Sequence, residues 1–294
     1  MELRDGRITA NGVEFGLLEA GPADGPLALC LHGFPDTAYG WRHLLPALAD
    51  RGFRAVAPFM RGYAPTAVPA DGDYSTGALA ADAVALHDAL GGRDDAVIVG
   101  HDWGAMATYG AAAHAPDRWR RVVTMAVPPL AAMGNAFFDY DQIKRSFYMF
   151  FFQTPLADMA VPMDDFAFIA GLWRDWSPGY DGVASGDVGR VADALRDPAH
   201  LSAAIGYYRS MFGTLPATEK FSAEQAACAA PTPQPTLYLH GRDDGCLGVD
   251  LVHDVEQFLG DGSEVVIIEG AGHFLQLDSA DEVTKRVVEW VTAS

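Results

Sequence analysis

The stretch Ala96-Val97-Ile98-Val99-Gly100-His101-Asp102-Trp103-Gly104 decides the fold of this chain. An apolar run typical of a strand leads into a turn that has a glycine two residues on either side of Asp102, and a helix of small residues follows. This order is typical of a nucleophile elbow, a sharp turn whose central residue, usually Ser, is exposed at the end of a strand. The chain is therefore expected to present a carboxylate where most such turns present a hydroxyl.

Strand and helix patterns alternate on both sides of this turn. Residues 7–10 and 13–18, separated by Asn11-Gly12, predict a hairpin on a type I′ turn. Continuous apolar runs such as Leu27–Leu31 predict strands that are buried on both faces of a parallel sheet. Strands alternating with helices at this spacing indicate an α/β fold with a mostly parallel central sheet.

The alternation stops after Val127-Pro128-Pro129 and resumes at residue 235. Residues 130–230 are rich in aromatic side chains and have helical periods without a clear strand. We therefore predict an α/β core domain built from residues 1–129 and 231–294, with a helical domain, residues 130–230, inserted in it. Within the second part of the core, we expect a helix over residues 251–259 and a closing helix over residues 280–291.

Composition excludes several classes of partner. The chain has 294 residues and a formal net charge of −19, which argues against binding to nucleic acid or to an anionic membrane. Its three cysteines are odd in number and lack metal-site spacing, so we expect free thiols in a reducing compartment and no metal. The N-terminus lacks the apolar stretch of a signal peptide, and the expected location is cytoplasmic.

Two further loops follow strand-like runs and carry polar side chains. They are Gly241-Arg242-Asp243-Asp244-Gly245 and Gly270-Ala271-Gly272-His273-Phe274. Because the carboxyl ends of parallel strands meet at one edge of a sheet, we expect both loops to lie beside Asp102. The chain order is then nucleophile, acid and histidine, with His273 as general base and Asp243 or Asp244 as the acid that orients it.

An aspartate nucleophile points to particular substrates. A carboxylate that displaces a leaving group at saturated carbon forms an ester, and water can attack the carbonyl carbon of that ester. A serine would form an ether, which offers water no carbonyl. Asp102 therefore suits epoxides or alkyl halides better than acyl esters. The competing interpretation is a structural Asp102 that caps the following helix.

The chain resembles the epoxide hydrolase branch of the α/β hydrolases over nearly its whole length. The motifs that carry the resemblance are His32-Gly33-Phe34-Pro35, Arg61-Gly62-Tyr63, Gly100-His101-Asp102-Trp103-Gly104, Gly272-His273 and, in the insertion, Tyr148-Met149-Phe150-Phe151-Phe152-Gln153-Thr154-Pro155 and Tyr207-Tyr208-Arg209. The resemblance implies an α/β-hydrolase fold in which the helical insertion is a cap over the active site. Two stretches depart from the family pattern, Ala64-Pro65-Thr66 and the Asp-Asp-Gly-Cys that ends at Cys246.

The resemblance also assigns roles. It makes Asp244 rather than Asp243 the acid, and it implies a cis bond before Pro35. It makes Tyr148 and Tyr208 the lid tyrosines that support the leaving oxygen, with Tyr207 as the alternative to Tyr208. By position, the backbone N–H groups of Phe34 and Trp103 would form the oxyanion hole.

These residues predict a cofactor-independent epoxide hydrolase that forms a vicinal diol from a small apolar epoxide, as a monomer or a homodimer. The expected pocket is apolar and is formed by Phe34, Trp103, Met149, Phe152, Leu247 and Phe274. One alternative is a dehalogenase that uses the same Asp102 ester, with Trp103 and either Trp173 or Trp176 binding the halide. Another is a hydrolase-like protein that binds a ligand without turnover.

Overall fold

An eight-stranded sheet forms the centre of the computed structural model, which describes residues 2–134 and 136–293. Its strands are β1 (Arg4–Ala10), β2 (Val13–Ala20), β3 (Leu27–Leu31), β4 (Arg54–Pro58), β5 (Ala96–His101), β6 (Trp119–Met125), β7 (Thr236–Gly241) and β8 (Glu264–Ile268). The order across the sheet is β1-β2-β4-β3-β5-β6-β7-β8. Strand β2 runs antiparallel to β1 and β4, and the other neighbours are parallel. The predicted α/β fold with a mostly parallel sheet is confirmed.

Burial along the strands follows their position in the sheet. Every residue of β3, β5 and β7 is buried, as expected for central strands covered by helices on both faces. The edge strand β1 is largely exposed. At its hairpin, Asn11 and Gly12 have φ of 47° and 78°, the two left-handed conformations that the predicted type I′ turn requires.

Helices cover the sheet and fill the segment between β6 and β7. The core helices before that segment are α1 (Leu44–Ala49), α2 (Thr76–Ala89) and α3 (Trp103–His114). The segment between β6 and β7, here called the helical insertion, contains α4 (Tyr140–Arg145), α5 (Phe147–Phe151), α6 (Leu156–Ala160), α7 (Met163–Trp176), α8 (Asp187–Leu195), α9 (Pro198–Met211) and α10 (Ser222–Ala227). The chain closes with α11 (Leu275–Asp278) and α12 (Ala280–Thr292). No helix among the described residues is both long enough and apolar enough to span a bilayer.

The prediction of a helix over residues 251–259 was wrong. This part of the chain forms two short 3₁₀ turns, Val249–Val252 and Val255–Phe258. Asp254, between them, has a φ of 63°, a left-handed conformation that an α-helix cannot contain. The apolar spacing reflects side chains that pack on β7 and β8 rather than a continuous helix.

Close backbone approach explains the glycines of the elbow. A Cβ at Gly104, in the first turn of α3, would overlap the carbonyl oxygen of Leu31 at the end of β3. A Cβ at Gly100 would overlap the backbone of Gly104 itself. Strand β3 and the elbow can therefore lie side by side only because these two positions have no side chain.

Gly104→Ala is expected to lower the free energy of unfolding by about 1–3 kcal/mol, because the added methyl group meets fixed backbone. Urea denaturation measures this change. The matched control is Gly189→Ala in α8, where a Cβ has nothing within 4 Å. That substitution should instead stabilise by about 0.5–1 kcal/mol, through helix propensity. A neutral Gly104→Ala would contradict the close approach described above.

Candidate active site

Asp102 lies at the sharp turn between β5 and α3. Its backbone has a φ of 54° and a ψ of −120°, a combination that an L-residue rarely adopts and that costs free energy. The amides of Ala105 and Met106 donate to the Asp102 carbonyl and start α3 directly after the turn. The side chain is only 7% exposed and reaches towards the ends of β3 and β8. The strained turn thus holds a buried carboxylate at the edge of the sheet.

His273 lies between two carboxylates. Its Nδ1 is 2.9 Å from Oδ2 of Asp244, and its Nε2 is 3.6 Å from Oδ2 of Asp102. Nε2 has no hydrogen-bond partner among the described residues. Since Asp244 accepts the Nδ1 proton, Nε2 is the nitrogen that faces Asp102. The gap of 3.6 Å leaves that nitrogen next to the elbow without a direct hydrogen bond.

Asp244, rather than Asp243, reaches His273. The side chain of Asp244 is buried and its Oδ1 accepts from the amides of Cys246 and Leu247, at 2.7 and 2.9 Å. Asp243 is exposed to solvent. Burial raises the pKa of Asp244, but the charge of His273 and the hydrogen bonds outweigh it and hold the pKa below its ordinary value. Asp244 is therefore an ionised, fixed partner for the imidazole.

The charge of His273 depends on both carboxylates. Burial acts to lower its pKa, but the negative charges of Asp244 and Asp102 outweigh burial and raise the pKa above the ordinary value of 6.5. Two buried anions therefore stabilise one imidazolium. If either negative charge is removed, the pKa of His273 falls and its neutral form becomes more populated.

Two other histidines hold the loops of the site. The amide of Met60 donates to Nε2 of His32, so the proton of His32 is on Nδ1, which donates to the Gly33 carbonyl. Nε2 of His101 lies 2.8 Å from the carbonyl of His273 and donates to it. Burial lowers the pKa of His32 to about 4 and that of His101 to about 3. Both are neutral supports, and neither faces the carboxylate of Asp102.

The loop after β3 reaches the elbow through its backbone. The amide of Phe34 donates to Oδ1 of Asp102 at 2.6 Å. The Phe34–Pro35 bond is cis, as the family resemblance implies. The indole N–H of Trp173, from α7, donates to the Pro35 carbonyl at 2.8 Å. The second predicted donor of the oxyanion hole, the amide of Trp103, remains a prediction.

A small cavity of about 40 Å³ lies against Asp102, between the sheet edge and the helical insertion. Its walls are almost entirely apolar, and four of the lining side chains are methionines, which are flexible. The lining residues are Asp102, Trp103, Met106, Val127, Met133, Ala136, Gln142, Tyr148, Met149, Tyr208, Met211, Cys246 and Leu247. A volume of this size holds a few water molecules at most.

Two tyrosines of the helical insertion line this cavity. Tyr148 and Tyr208 pack edge to face, with ring centroids 5.4 Å apart. Burial raises the pKa of both hydroxyls well above the ordinary value, and the charge of Asp102 raises each further. Both hydroxyls therefore remain protonated. The Tyr208 hydroxyl has no partner in the described part of the chain.

Tyr207 is engaged elsewhere. Its hydroxyl donates to the carbonyl of Arg61 at 2.8 Å. Its ring packs against Tyr63, Tyr74 and Trp103. Of the two adjacent tyrosines, it is Tyr208 that lines the cavity with Asp102.

The expected pocket residues divide into two groups. Trp103, Met149 and Leu247 line the cavity. Phe34, Phe152 and Phe274 are not among its lining residues. Phe34 packs edge-on against Phe152 and Tyr208, and Phe274 stacks on Trp173 with ring centroids 3.7 Å apart. Phe34 and Phe152 therefore support the wall from behind through Tyr208, whereas Phe274 packs beside His273.

Sequence reasoning missed several lining residues, chiefly Met106, Met133, Gln142, Met211 and Cys246. Met106 is one helical turn after Trp103 on α3, so the helical period could have found it. The others depend on how the insertion packs on the core. Among residues 2–134 and 136–293, no group of three or more His, Cys, Asp or Glu side chains is arranged to hold a metal ion.

Comparisons with known proteins identify the family to which this fold belongs. The family model of the α/β hydrolase fold matches residues 26–160. The chain is 31% identical to epoxide hydrolase A of Mycobacterium tuberculosis, over 97% of this chain and 96% of that protein. It is 29% identical to mouse epoxide hydrolase 3, over 94% of this chain and 73% of the relative.

Solved structures of epoxide hydrolases share the fold of this chain. The crystal structure of epoxide hydrolase A from Mycobacterium thermoresistibile superposes with a TM-score of 0.81 at 25% identity and covers 98% of both chains. An epoxide hydrolase from Vigna radiata superposes with a TM-score of 0.80 at 27% identity, covering 99% of this chain and 98% of that one.

Asp102→Asn is expected to lower the pKa of His273, because one of the two carboxylate charges that raise it is removed. An NMR titration of the His273 ring protons measures the change. Since the folded-state pKa exceeds 6.5, the stabilisation is full below that pH and is lost as pH rises through the folded-state pKa. The free energy by which wild type is more stable than the variant should therefore also shrink as pH rises through the folded-state pKa.

Asp243→Asn is the matched control for this titration, because it removes an exposed carboxylate from the neighbouring loop. It should leave the pKa of His273 unchanged. Equal values in wild type and Asp102→Asn would show that the charge of Asp102 does not act on the imidazole.

Proposed function

The chain belongs to the α/β hydrolase family, in its epoxide hydrolase branch, and we propose that it opens an epoxide to a vicinal diol through an ester on Asp102. One observation carries the proposal. Two protonated tyrosine hydroxyls, those of Tyr148 and Tyr208, line the same small apolar cavity as a buried carboxylate at a strained turn. Ring opening needs this pairing of a nucleophile with hydrogen-bond donors to the departing oxygen.

In the first step, the Asp102 carboxylate attacks a ring carbon. An ester C–O bond forms, the ring C–O bond breaks, and its electron pair moves to the epoxide oxygen. That oxygen is a poor leaving group as an alkoxide, so it must accept a proton or strong hydrogen bonds. Tyr148 and Tyr208 supply both from the insertion, opposite the elbow.

In the second step, water attacks the carbonyl carbon of the Asp102 ester. His273 takes the proton of that water through Nε2, while Asp244 holds the imidazole in orientation and stabilises its positive charge. The Phe34 amide already donates to Asp102 and is in position to stabilise the oxyanion that forms. When the tetrahedral intermediate collapses, its bond to the alkyl-bearing oxygen breaks, and that oxygen takes the proton from His273. The diol carries the epoxide oxygen and one former Asp102 oxygen, and the Asp102 carboxylate is restored with an oxygen from water.

The charge of Asp102 also determines in which step His273 can act as a base. While Asp102 is ionised, its charge helps to keep His273 protonated. Esterification neutralises Asp102 and removes that contribution, so the pKa of His273 falls when a base is needed. The same imidazole thus supports the nucleophile in the free enzyme and activates water in the ester.

The substrate is a small apolar epoxide. The cavity is apolar and has a volume of only about 40 Å³, so substrate binding requires its walls to move. Met106, Met133, Met149 and Met211 are the flexible part of the wall. We infer that the helical insertion acts as a cap over Asp102.

One of the tryptophans expected to bind a halide, Trp173, is engaged elsewhere. The Trp173 indole N–H donates to the Pro35 carbonyl and is occupied. Phe34 offers no polar side chain. A dehalogenase would leave the two tyrosine hydroxyls without a task, since a halide departs without protonation.

His273→Gln is expected to accumulate the Asp102 ester when it is mixed with an aryl or alkyl epoxide, because water is no longer activated. Intact-protein mass spectrometry measures the adduct. The mass gain should equal that of the whole epoxide, since ring opening loses no atom. An alkyl halide would add only its alkyl group.

Asp102→Asn is the control and should form neither adduct nor diol. Halide release from a haloalkane without any diol from epoxides would refute the proposal. Absence of both an adduct and a product would favour ligand binding without turnover.

Tyr148→Phe and Tyr208→Phe are each expected to lower kcat/KM for epoxides by roughly 10²-fold, because the departing oxygen loses a proton donor. Steady-state diol formation measures the loss. Tyr207→Phe is the matched control, since its hydroxyl is bound to the Arg61 carbonyl. Equal losses at positions 207 and 208 would indicate a packing effect instead of proton donation.

A further inference from the structure

Cys246 lies where the loop of Asp244 meets the insertion, and each of its polar groups has a contact. Its N–H donates to Oδ1 of Asp244 at 2.7 Å. Its carbonyl accepts from the Gln142 side chain at 2.9 Å. Its Sγ is 3.3 Å from the hydroxyl oxygen of Tyr148. One residue therefore joins the acid loop, helix α4 and a tyrosine that lines the cavity.

The loop around Cys246 is fixed from the insertion side as well. Oε1 of Gln142 accepts from the Gly248 amide at 3.0 Å, and Arg145 donates to the Asp244 carbonyl at 2.6 Å. The Cys246 side chain is 1% exposed. Its thiol therefore has little freedom to turn away from Tyr148.

The direction of the Cys246–Tyr148 hydrogen bond matters for ring opening. Each group has one proton. If Tyr148 donates to sulfur, its proton points away from the substrate. If the thiol donates to the tyrosine oxygen, the Tyr148 proton is free to face the cavity.

The thiol keeps its proton. Burial raises the pKa of Cys246 well above its ordinary value, and the charges of Asp244 and Asp102 raise it further. The thiolate, which would itself attack an epoxide, is suppressed. What remains is a weak donor beside a hydroxyl oxygen.

We propose that Cys246 is a positioning residue for ring opening: its thiol donates to the Tyr148 hydroxyl oxygen and directs the Tyr148 proton to the epoxide oxygen. The inference rests on the proposed function. Two unpartnered groups near Asp102 support it: the hydroxyl of Tyr208, which lines the cavity, and Nε2 of His273, 3.6 Å from Asp102. Both are fully buried and lack a partner within the described ranges, as expected where substrate and water complete the hydrogen bonds.

The test separates the two chemical steps in Cys246→Ser and Cys246→Ala, which differ by one hydroxyl donor. Styrene oxide is mixed with enzyme, quenched within milliseconds, and the Asp102 ester is followed by mass spectrometry. Cys246→Ala should slow ester formation roughly five- to tenfold, the value of one hydrogen bond. Cys246→Ser should recover most of that rate. The rate of ester hydrolysis should be unchanged in both.

Cys246→Val, an apolar replacement that fills the site, should behave like Cys246→Ala. Cys228→Ala is the control at a buried cysteine beside Gly110, outside the cavity, and should open epoxides at the wild-type rate.

Wild-type ester formation in Cys246→Ala or Cys246→Val would overturn the inference. Equal slowing in Cys246→Ser and Cys246→Ala would also overturn it, because the cause would then be packing. A wild-type enzyme that forms neither ester nor diol would instead refute the proposed function, and this inference with it.

Discussion

One buried imidazole between two buried carboxylates is the constraint on which the site depends. Asp102 and Asp244 are buried at the end of this sheet, where both have lost hydration and repel each other. A positive charge between them offsets this cost. His273 provides that charge, and the two carboxylates raise its pKa in return. With both anions present the three groups carry one net negative charge, and the imidazolium is stabilised from both sides. A reaction that converts Asp102 to a neutral ester therefore changes the proton affinity of its neighbour without any movement of the backbone.

The fold produces this arrangement by close packing of backbone segments at positions where a side chain would keep them apart. Gly33 and Gly104 let the loop after β3 and the start of α3 lie against the elbow, and a Cβ at either position would overlap its neighbour. The Phe34 amide then reaches the Asp102 carboxylate. His101 fixes the other side by donating to the His273 carbonyl. The chemistry is carried by few side chains, but their separation is set by main-chain packing.

The sequence predicted the parts of this site that are encoded locally. Asp102, Asp244 and His273 each follow an apolar strand, and the parallel sheet brings strand ends together. Which of Tyr207 and Tyr208 faces the cavity depends on how α9 is rotated on the core, and spacing along one helix does not contain that information. Three phenylalanines expected in the pocket lie outside its lining for the same reason, since their positions depend on packing between the insertion and the sheet. The 3₁₀ turns at residues 249–258 were missed because a left-handed Asp254 leaves the apolar pattern intact.

The grip of α4 on the acid loop limits how this enzyme can evolve or be engineered. Gln142 and Arg145 hold the backbone of residues 244–248 through hydrogen bonds from the insertion. Exchanging the insertion for that of a relative, as a way to transfer substrate preference, would also remove the groups that hold Asp244 in place. The insertion and the acid loop therefore have to be exchanged together, and a functional chimera has to take both from the same parent.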